Sequence, residues 1–377
     1  MGPATGAGGT LPEQGIEALI GSAVRPRAAL PAGRVQPASL DLGLAAEGWS
    51  MPGSVLPLPG ERVEQLLERY ARRRLDLSSP EILVRGQVYV VRLDVDLALP
   101  EGLAAYANGK SSIGRIDVQT RVLADGNPRY DKLPASYRGR IYLEIIPKSF
   151  DVRVRAGDCL NQMIFYRGRS LVEGEALAAL HAQQPLLYDH AGEVLDGVDP
   201  RHGLSARGEV LMTLDLDQEV VGWVAKKSYR PLDLAGLDAH DPRQFFDPIP
   251  RPEDASLFLS REAFYIFSTA ERVSVPPDYA SEMLPYDTSA GEFRAHYAGF
   301  FDPGFGYGVR GELRGTPAVL EVRPYEDDLL VRHRQPVCKM AFERLTERPK
   351  KLYGGTGNHY AAQRGPRLSK YFRVDPC

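Results

Sequence analysis

Two short blocks of this sequence occur twice. YLEIIP at Tyr142–Pro147 returns as VLEVRP at Val319–Pro324, and NQMIFYR at Asn161–Arg167 returns as CKMAFER at Cys338–Arg344. The step from Glu144 to Glu321 and the step from Phe165 to Phe342 are the same 177 residues. Upstream, YVVRLDVDLALP from Tyr89 pairs with YIFSTAERVSVP from Tyr265 at an offset of 176. PASLDL near Pro37 and RPLDL near Pro231 form a weaker echo. Short strand-like words recur by chance, but not in order at one offset, so the chain reads as two copies of one domain.

The repeated words alternate apolar and polar residues. Leu40, Leu42 and Leu44 flank Asp41 and Gly43, and Leu93, Val95 and Leu97 flank Asp94 and Asp96. Ile141, Leu143 and Ile145 alternate with Arg140, Tyr142 and Glu144, and Val152 and Val154 with Arg153 and Arg155 before a turn at Gly157. A period of two, broken by Gly and Pro, predicts antiparallel strands and a mostly β fold with a few short helices. One amphipathic helix is expected over residues 60–75, with Val63, Leu66, Leu67 and Tyr70 on its apolar face. Thr10 and Glu13 read as a capping box opening a short helix through Ile16, Leu19 and Ile20. The expected layout is a flexible tail over 1–12, a first repeat over 13–170, a connecting segment over 171–206, and a second repeat over 207–377 ending in a lid.

The 377-residue length suits two such domains, and a net charge of −3 gives no overall attraction to nucleic acid or membrane. No apolar run reaches membrane-spanning length. Cys159, Cys338 and Cys377 are odd in number and far apart, and no Cys-x-x-Cys occurs, which argues against a disulfide framework and a thiolate zinc site. The start MGPATGAGGT lacks a basic opening and an apolar core, so a cytoplasmic location is expected.

The segment NGKSSIGR, Asn108–Arg115, carries the Gly-Lys-Ser of a phosphate-binding P-loop. That loop needs a glycine five residues before Gly109, where Ala104 stands, so the reading fails. A Lys, two hydroxyls and an Arg within six residues still suit an anion. The second half reads Asp287-Thr288-Ser289-Ala290-Gly291-Glu292 at this place, with no Arg. It has instead AGFFDPGFG at Ala298–Gly306, where the first half has the longer ADGNPRYDKLPASYRG. Each half keeps one element and lacks the other, so two incomplete halves would make one composite site.

VQPASLDLGL, GKSSIGR, YAGFFDPGFG, the Glu of VLEV, KMAFERL and the tail NHYAAQRGPRLSKYF together resemble the dCTP deaminase family, about twice over in one chain. The resemblance implies a pair of dUTPase-like distorted β-barrel or jelly-roll repeats. It implies deamination of dCTP to dUTP and ammonia, with Mg2+ carried on the substrate triphosphate and no catalytic zinc. The His-x-Glu and Pro-Cys-x-x-Cys signature of zinc deaminases is absent, in agreement. It further implies Glu321 as the proton-shuttling carboxylate and Ser111 as holder of the attacking water or oxyanion. Ser112 and Arg115 would hold phosphate, with Lys110 reading equally as a phosphate ligand or a solvated side chain. Ala298, Gly299 and Phe300 would face the cytosine. Asp302 would contact the sugar or brace its turn, and Tyr360 and Gln363 would belong to a closing tail. Glu144, which lacks a DPGFG neighbour, reads as a solvated or salt-bridged strand residue. Two alternatives stand beside this reading: a bifunctional deaminase and dUTP diphosphatase, and an inactive nucleotide-binding module. A homo-oligomer and inhibition by dTTP are family expectations.

Overall fold

The computed structural model describes residues 8–195, 203–204, 209–285, 299–355, 359–361 and 363–374. Contacts divide the chain into two units: Met1–Arg169 with Lys227–Asp241 and Ser369–Cys377, and Ser170–Lys226 with Pro242–Leu368. Each unit is built almost wholly of strands, and each has its own core.

The first unit is organised by a ten-stranded sheet. Its main path runs through Val118–Ala124, Arg138–Pro147, Val88–Ala98, Leu40–Met51, Cys159–Arg167 and Ala104–Gly109 to Lys132–Leu133. All the pairings between those strands are antiparallel, as the alternation requires. The strands are buried on both faces: Leu42, Leu44, Val91, Leu93, Ile141 and Ile145 have at most 1% exposure, as do residues pointing the other way such as Val90 and Tyr142. Burying a side chain of this size contributes about 1.5–3 kcal/mol, so this sheet is the main store of stability in the unit.

The second unit repeats the design in two sheets. One runs through Val210–Thr213, Pro336–Arg344, Tyr279–Pro285 and Phe300–Phe301, and the other through Tyr265–Val273, Val220–Ala225 and Phe246–Pro250, with Thr316–Val322 paired to Tyr265–Val273. The correspondence reaches single hydrogen bonds. Val84 N donates to the Tyr89 hydroxyl at 2.9 Å, and Ser260 N to the Tyr265 hydroxyl at 2.8 Å. Arg85 N donates to Asp151 Oδ1 at 2.9 Å, and Arg261 N to Asp328 Oδ1 at 2.8 Å. Glu144 stands opposite Val90 in its ladder, and Glu321 opposite Ile266.

Two helix expectations are corrected. The first helix spans Glu13–Glu17 with Pro12 at its cap and no side-chain capping bond. Thr10 is in a strand opposite Tyr166 instead, so its backbone is committed to the sheet before a helix can begin. The second helix is Val63–Tyr70, half the expected length. Its first N–H is capped by Asp125 Oδ1 at 2.8 Å, and Val63, Leu66 and Leu67 are buried while Tyr70 is 43% exposed. Residues Arg73–Asp76 form a strand paired with Glu47–Ser50, which buries Leu75 to 2% exposure. Sheet pairing overrides a sequence that could have continued the helix.

Two stretches distant in sequence join the first unit. Leu232–Asp233 pairs in parallel with Val152–Arg153, and Asp233 is held by Arg155 at 2.6 Å and Arg153 at 3.3 Å. Residues 369–373 lie along 238–240: Asp238 N donates to Lys370 O at 3.0 Å, His240 N to Tyr371 O at 3.0 Å, and Arg373 N to His240 O at 2.9 Å. Among the described residues no helix is long and apolar enough to cross a membrane.

Candidate active site

The Ser111 turn is aimed by buried amides. Gln162 Nε2 donates to Asn108 Oδ1 at 3.0 Å and Asn161 Nδ2 to Thr120 Oγ1 at 3.2 Å, pinning Ala104–Gly109 in the sheet. The chain then makes a single helical turn, Ser111–Gly114, whose exit is fixed where Asp117 adopts a positive φ of 56° and its carbonyl accepts from Lys148 N at 2.9 Å. Asp tolerates this left-handed conformation better than most residues. Lys110, Ser111, Ser112 and Arg115 are thereby gathered on one turn. Ser111 is exposed and takes a hydrogen bond from Arg115 Nε at 3.1 Å, although Arg115 itself is only 3% exposed. Lys110 is ion-paired with Asp41.

Sequence reasoning missed two groups here. Ser369 donates to the carbonyl of Ser112 at 2.7 Å, and the next residue, Lys370, feels the field of Lys110. Burial, followed by that like charge, holds the Lys370 amine below the ordinary lysine range.

Glu144 is fully buried and locked. Arg121, directly opposite in the neighbouring strand, donates from Nε to Oε1 at 2.9 Å and from its terminal nitrogen to the same oxygen. Ser54 Oγ and Val55 N approach the carboxylate at 3.3 Å each. Tyr130 lies 4.0 Å from the guanidinium, ring face on, and donates its hydroxyl to Val55 O. Beside them Asp131 is pushed up to about 7 from 3.8 by burial, against the opposing effects of the Val122 N–H it accepts at 2.7 Å and of Arg121.

In the second unit, Glu321 is 3% exposed in Thr316–Val322. The DPGFG stretch forms a tight corner next to that strand. Gly306 has a φ of 65°, and a Cβ there would stand 2.0 Å from Val273 O, so no other residue fits without moving the backbone. Gly304 N donates to Val275 O at 3.0 Å and Phe305 N to Asp302 O at 3.1 Å, so the Asp302 backbone closes the turn. Gly299 O accepts from Met283 N at 3.0 Å. Phe300 and Phe301 are both half-buried, and Phe301 meets Phe305 edge to face at 4.9 Å between centroids. Ala298 lies outside the described residues.

Tyr360 and Gln363 are buried in the same unit. Gln363 Nε2 donates to Pro317 O at 2.7 Å, four residues before Glu321 on the same strand. It also lines a cavity of about 550 Å³ with Asp215, Arg272, His333, Arg334 and Arg364. The candidate residues thus form two groups, one in each unit: Lys110, Ser111, Ser112 and Arg115 in the first, and Gly299, Phe300, Asp302, Glu321, Tyr360 and Gln363 in the second.

The N-terminal domain model of 2'-deoxycytidine 5'-triphosphate deaminase matches residues 7–169, and the C-terminal domain model matches residues 173–372. The chain belongs to the 2'-deoxycytidine 5'-triphosphate deaminase family. A solved deaminase of this name from Agrobacterium tumefaciens is 38% identical, covers 91% of this chain and 99% of its own, and superposes with a TM-score of 0.82. A mutant dUTPase from Staphylococcus bacteriophage 80alpha is 14% identical over 38% of this chain and 86% of its own, at a TM-score of 0.22. The chain has no match among curated proteins. The fold of this deaminase family member is mostly β and built of two repeats.

Proposed function

We propose that the protein converts dCTP and water to dUTP and ammonia. The observation that carries this reading is the match of both deaminase domain models, end to end, over residues 7–169 and 173–372. Water adds to C4 of the cytosine, which becomes tetrahedral while N3 gains a proton. The C4–N bond then breaks, ammonia leaves with an added proton, and the carbonyl of uracil forms. The step needs a group that takes one proton from water and gives it to N3, then takes the second from the C4 hydroxyl and gives it to the leaving nitrogen. A carboxylate in a dry site does this, because desolvation brings its proton affinity toward neutrality.

Glu321 is assigned that role. Its repeat counterpart Glu144 is unsuited, since its carboxylate is already saturated by Arg121, Ser54 and Val55. Ser111 holds the attacking water or the developing oxyanion, a task suited to an exposed hydroxyl on a fixed turn. Ser112, Arg115 and Lys110 take the phosphates. Gly299 and Phe300 address the base, Asp302 braces the corner or meets the sugar, and Tyr360 and Gln363 belong to the covering tail. The two units contribute complementary halves of the machinery, so one working set per pair of repeats is expected. Magnesium would enter with the substrate and offset part of the triphosphate charge, and the proton shuttle would use no zinc. A homo-oligomer and inhibition by dTTP complete the proposal.

The test is incubation of the purified protein with dCTP and magnesium, with nucleotide separation and an ammonia assay. The expected result is dUTP and ammonia in equal amounts, lost in Glu321→Gln and Ser111→Ala and kept in Glu144→Gln. dUMP with pyrophosphate would mean a second, diphosphatase activity. Binding of dCTP without turnover would overturn the enzyme reading.

A further inference from the structure

The cavity of about 550 Å³ lies wholly within the second unit, and among the described residues its walls include neither Glu321 nor Asp302. It opens where the strand Tyr265–Val273 loses register: Ser268 pairs with Val319 and Arg272 with Pro317, so four steps on one strand face two on the other. Thr269 and Ala270, within that irregular stretch, line the cavity. Such bulges recur beside functional sites. The acids of the region are matched. Asp215 accepts from Gln218 Nε2 at 2.5 Å and from Asp217 N at 2.9 Å, and Asp217 is ion-paired with Arg251 at 3.4 Å. Glu271, fully buried, accepts from Thr213 N and Oγ1 at 2.6 Å each and from Arg334 at 3.0 Å. Three donors in the walls are not matched. The half-buried guanidinium of Arg272 has no hydrogen bond or ion pair among the described residues, and its Nε is buried without a partner. His333 Nδ1 accepts from Leu216 N at 3.1 Å, so the ring proton is on Nε2, which finds no acceptor among those residues. Arg364 is exposed and equally without one. The first repeat differs at these places. There Arg92 donates to Asp96 at 2.8 Å, and Asp94 accepts from Gly43 N at 3.1 Å and pairs with Arg34. At the offset of 176, Ser268, Ala270 and Arg272 stand for Arg92, Asp94 and Asp96. The second copy has dropped both carboxylates and put a guanidinium in place of one. Burying part of a guanidinium without an acceptor costs free energy, which an anion in the cavity would offset.

We infer that this cavity is a second anion site, separate from the deaminase machinery, that takes the phosphoryl group of a small molecule. Arg272 is its anchor, with His333 Nε2 and Arg364 as further donors. The planar fork of an arginine matches two phosphoryl oxygens at once. A cavity of this size has room for a molecule larger than a bare ion, such as a mononucleotide. Ser111 and Glu321 are not among its walls, so the ligand is held here and not deaminated. The inference does not rest on the deaminase reading.

The test titrates the full chain with inorganic pyrophosphate, by calorimetry and by NMR of the His333 ring, whose signal is assigned by its loss in His333→Gln. Pyrophosphate is expected to bind the wild type and shift the His333 signal. Arg272→Gln is expected to weaken that binding by about tenfold or more, and Arg364→Gln, at an exposed position, by about threefold. Both variants should keep kcat and KM for dCTP within about twofold of wild type. Arg115→Met, which disables the clamp proposed at the Ser111 turn, should leave the His333 shift in place. A His333 signal unmoved by pyrophosphate in the wild type overturns the inference, as does a shift that survives unchanged in Arg272→Gln. Citrate binding as tightly as pyrophosphate overturns it too, since that marks a general attraction for anions. If Arg272→Gln fails to fold, Arg272→Lys, which keeps the charge and loses the fork, is held to the same tenfold criterion. The binding measurements stand whether or not the protein turns over dCTP, so failure of the deaminase reading and failure of this one are told apart.

Discussion

Glu144 and Glu321 occupy the same place in two copies of one fold, and their surroundings differ. In the first unit, residues 52–70 fold back over the sheet. They bring Ser54 and Val55 to the carboxylate and lay the helix Val63–Tyr70 beside it, while Arg121 closes from the adjacent strand. In the second repeat, residues 227–241, between the strands Val220–Ala225 and Phe246–Pro250, belong to the first unit instead and pair Leu232–Asp233 with Val152–Arg153. The first segment seals Glu144 into an ion pair, while Glu321, 3% exposed, lies on the strand whose first residue, Thr316, meets the Gly306 corner.

The sharpest way to break this comparison is to neutralise each glutamate. Glu321→Gln is expected to lower kcat by about 10²–10⁴-fold, the range lost with a general acid–base group, while Glu144→Gln leaves kcat within about twofold. Equal losses in ammonia release would make the two sites equivalent and end the asymmetry.

Stability should divide the other way. Arg121→Met leaves the fully buried Glu144 without its cation, at a cost of about 3 kcal/mol by urea denaturation and with little change in kcat for the folded protein. A loss under about 1 kcal/mol would show that Ser54 and Val55 suffice to hold the carboxylate.

The corner beside Glu321 offers an intermediate effect. Gly306→Ala places a Cβ against Val273 O in a left-handed backbone and should cost about 2 kcal/mol, read as a lower thermal midpoint together with reduced activity. Wild-type stability would mean that the corner relaxes freely and does not set the geometry of the strand.

The smallest effect is one of pH. Asp131 has a folded-state pKa raised from 3.8 to about 7, so its protonated form is favoured in the folded protein. Its stabilising contribution is complete below about pH 4 and is lost as pH rises to about 7, because the unfolded chain releases that proton first. Asp131→Asn should flatten the fall in stability between those values, and an unchanged profile would assign the fall to other groups.

Much of this was legible in the sequence because a strand buried between neighbours must alternate or run apolar, and Leu40–Met51, Val88–Ala98 and Arg138–Pro147 do so. The repeat was legible because both copies keep the same ladder positions. The strand at Arg73–Asp76 was not, since RRRL has no period of its own and its pairing with Glu47–Ser50 is decided by the sheet. At the candidate site, the Ser111 turn and Glu321 stand out through local words. The lock on Glu144 left a fainter signal, an Arg and a Glu in adjacent strands whose register only folding reveals. Ser369 left none, because the carbonyl it bonds, that of Ser112, lies far earlier in the chain.

That reach has a consequence for how the molecule is made. The ribosome finishes the first 169 residues early, yet that unit still lacks the strand at Leu232–Asp233 and the strap after Ser369. The nascent first unit must therefore wait for Leu232–Asp233 to cover the edge at Val152–Arg153, and for the end of the chain to supply Tyr371 and Phe372. Its final closure is therefore among the last events in the making of the chain, and it completes residues translated long before.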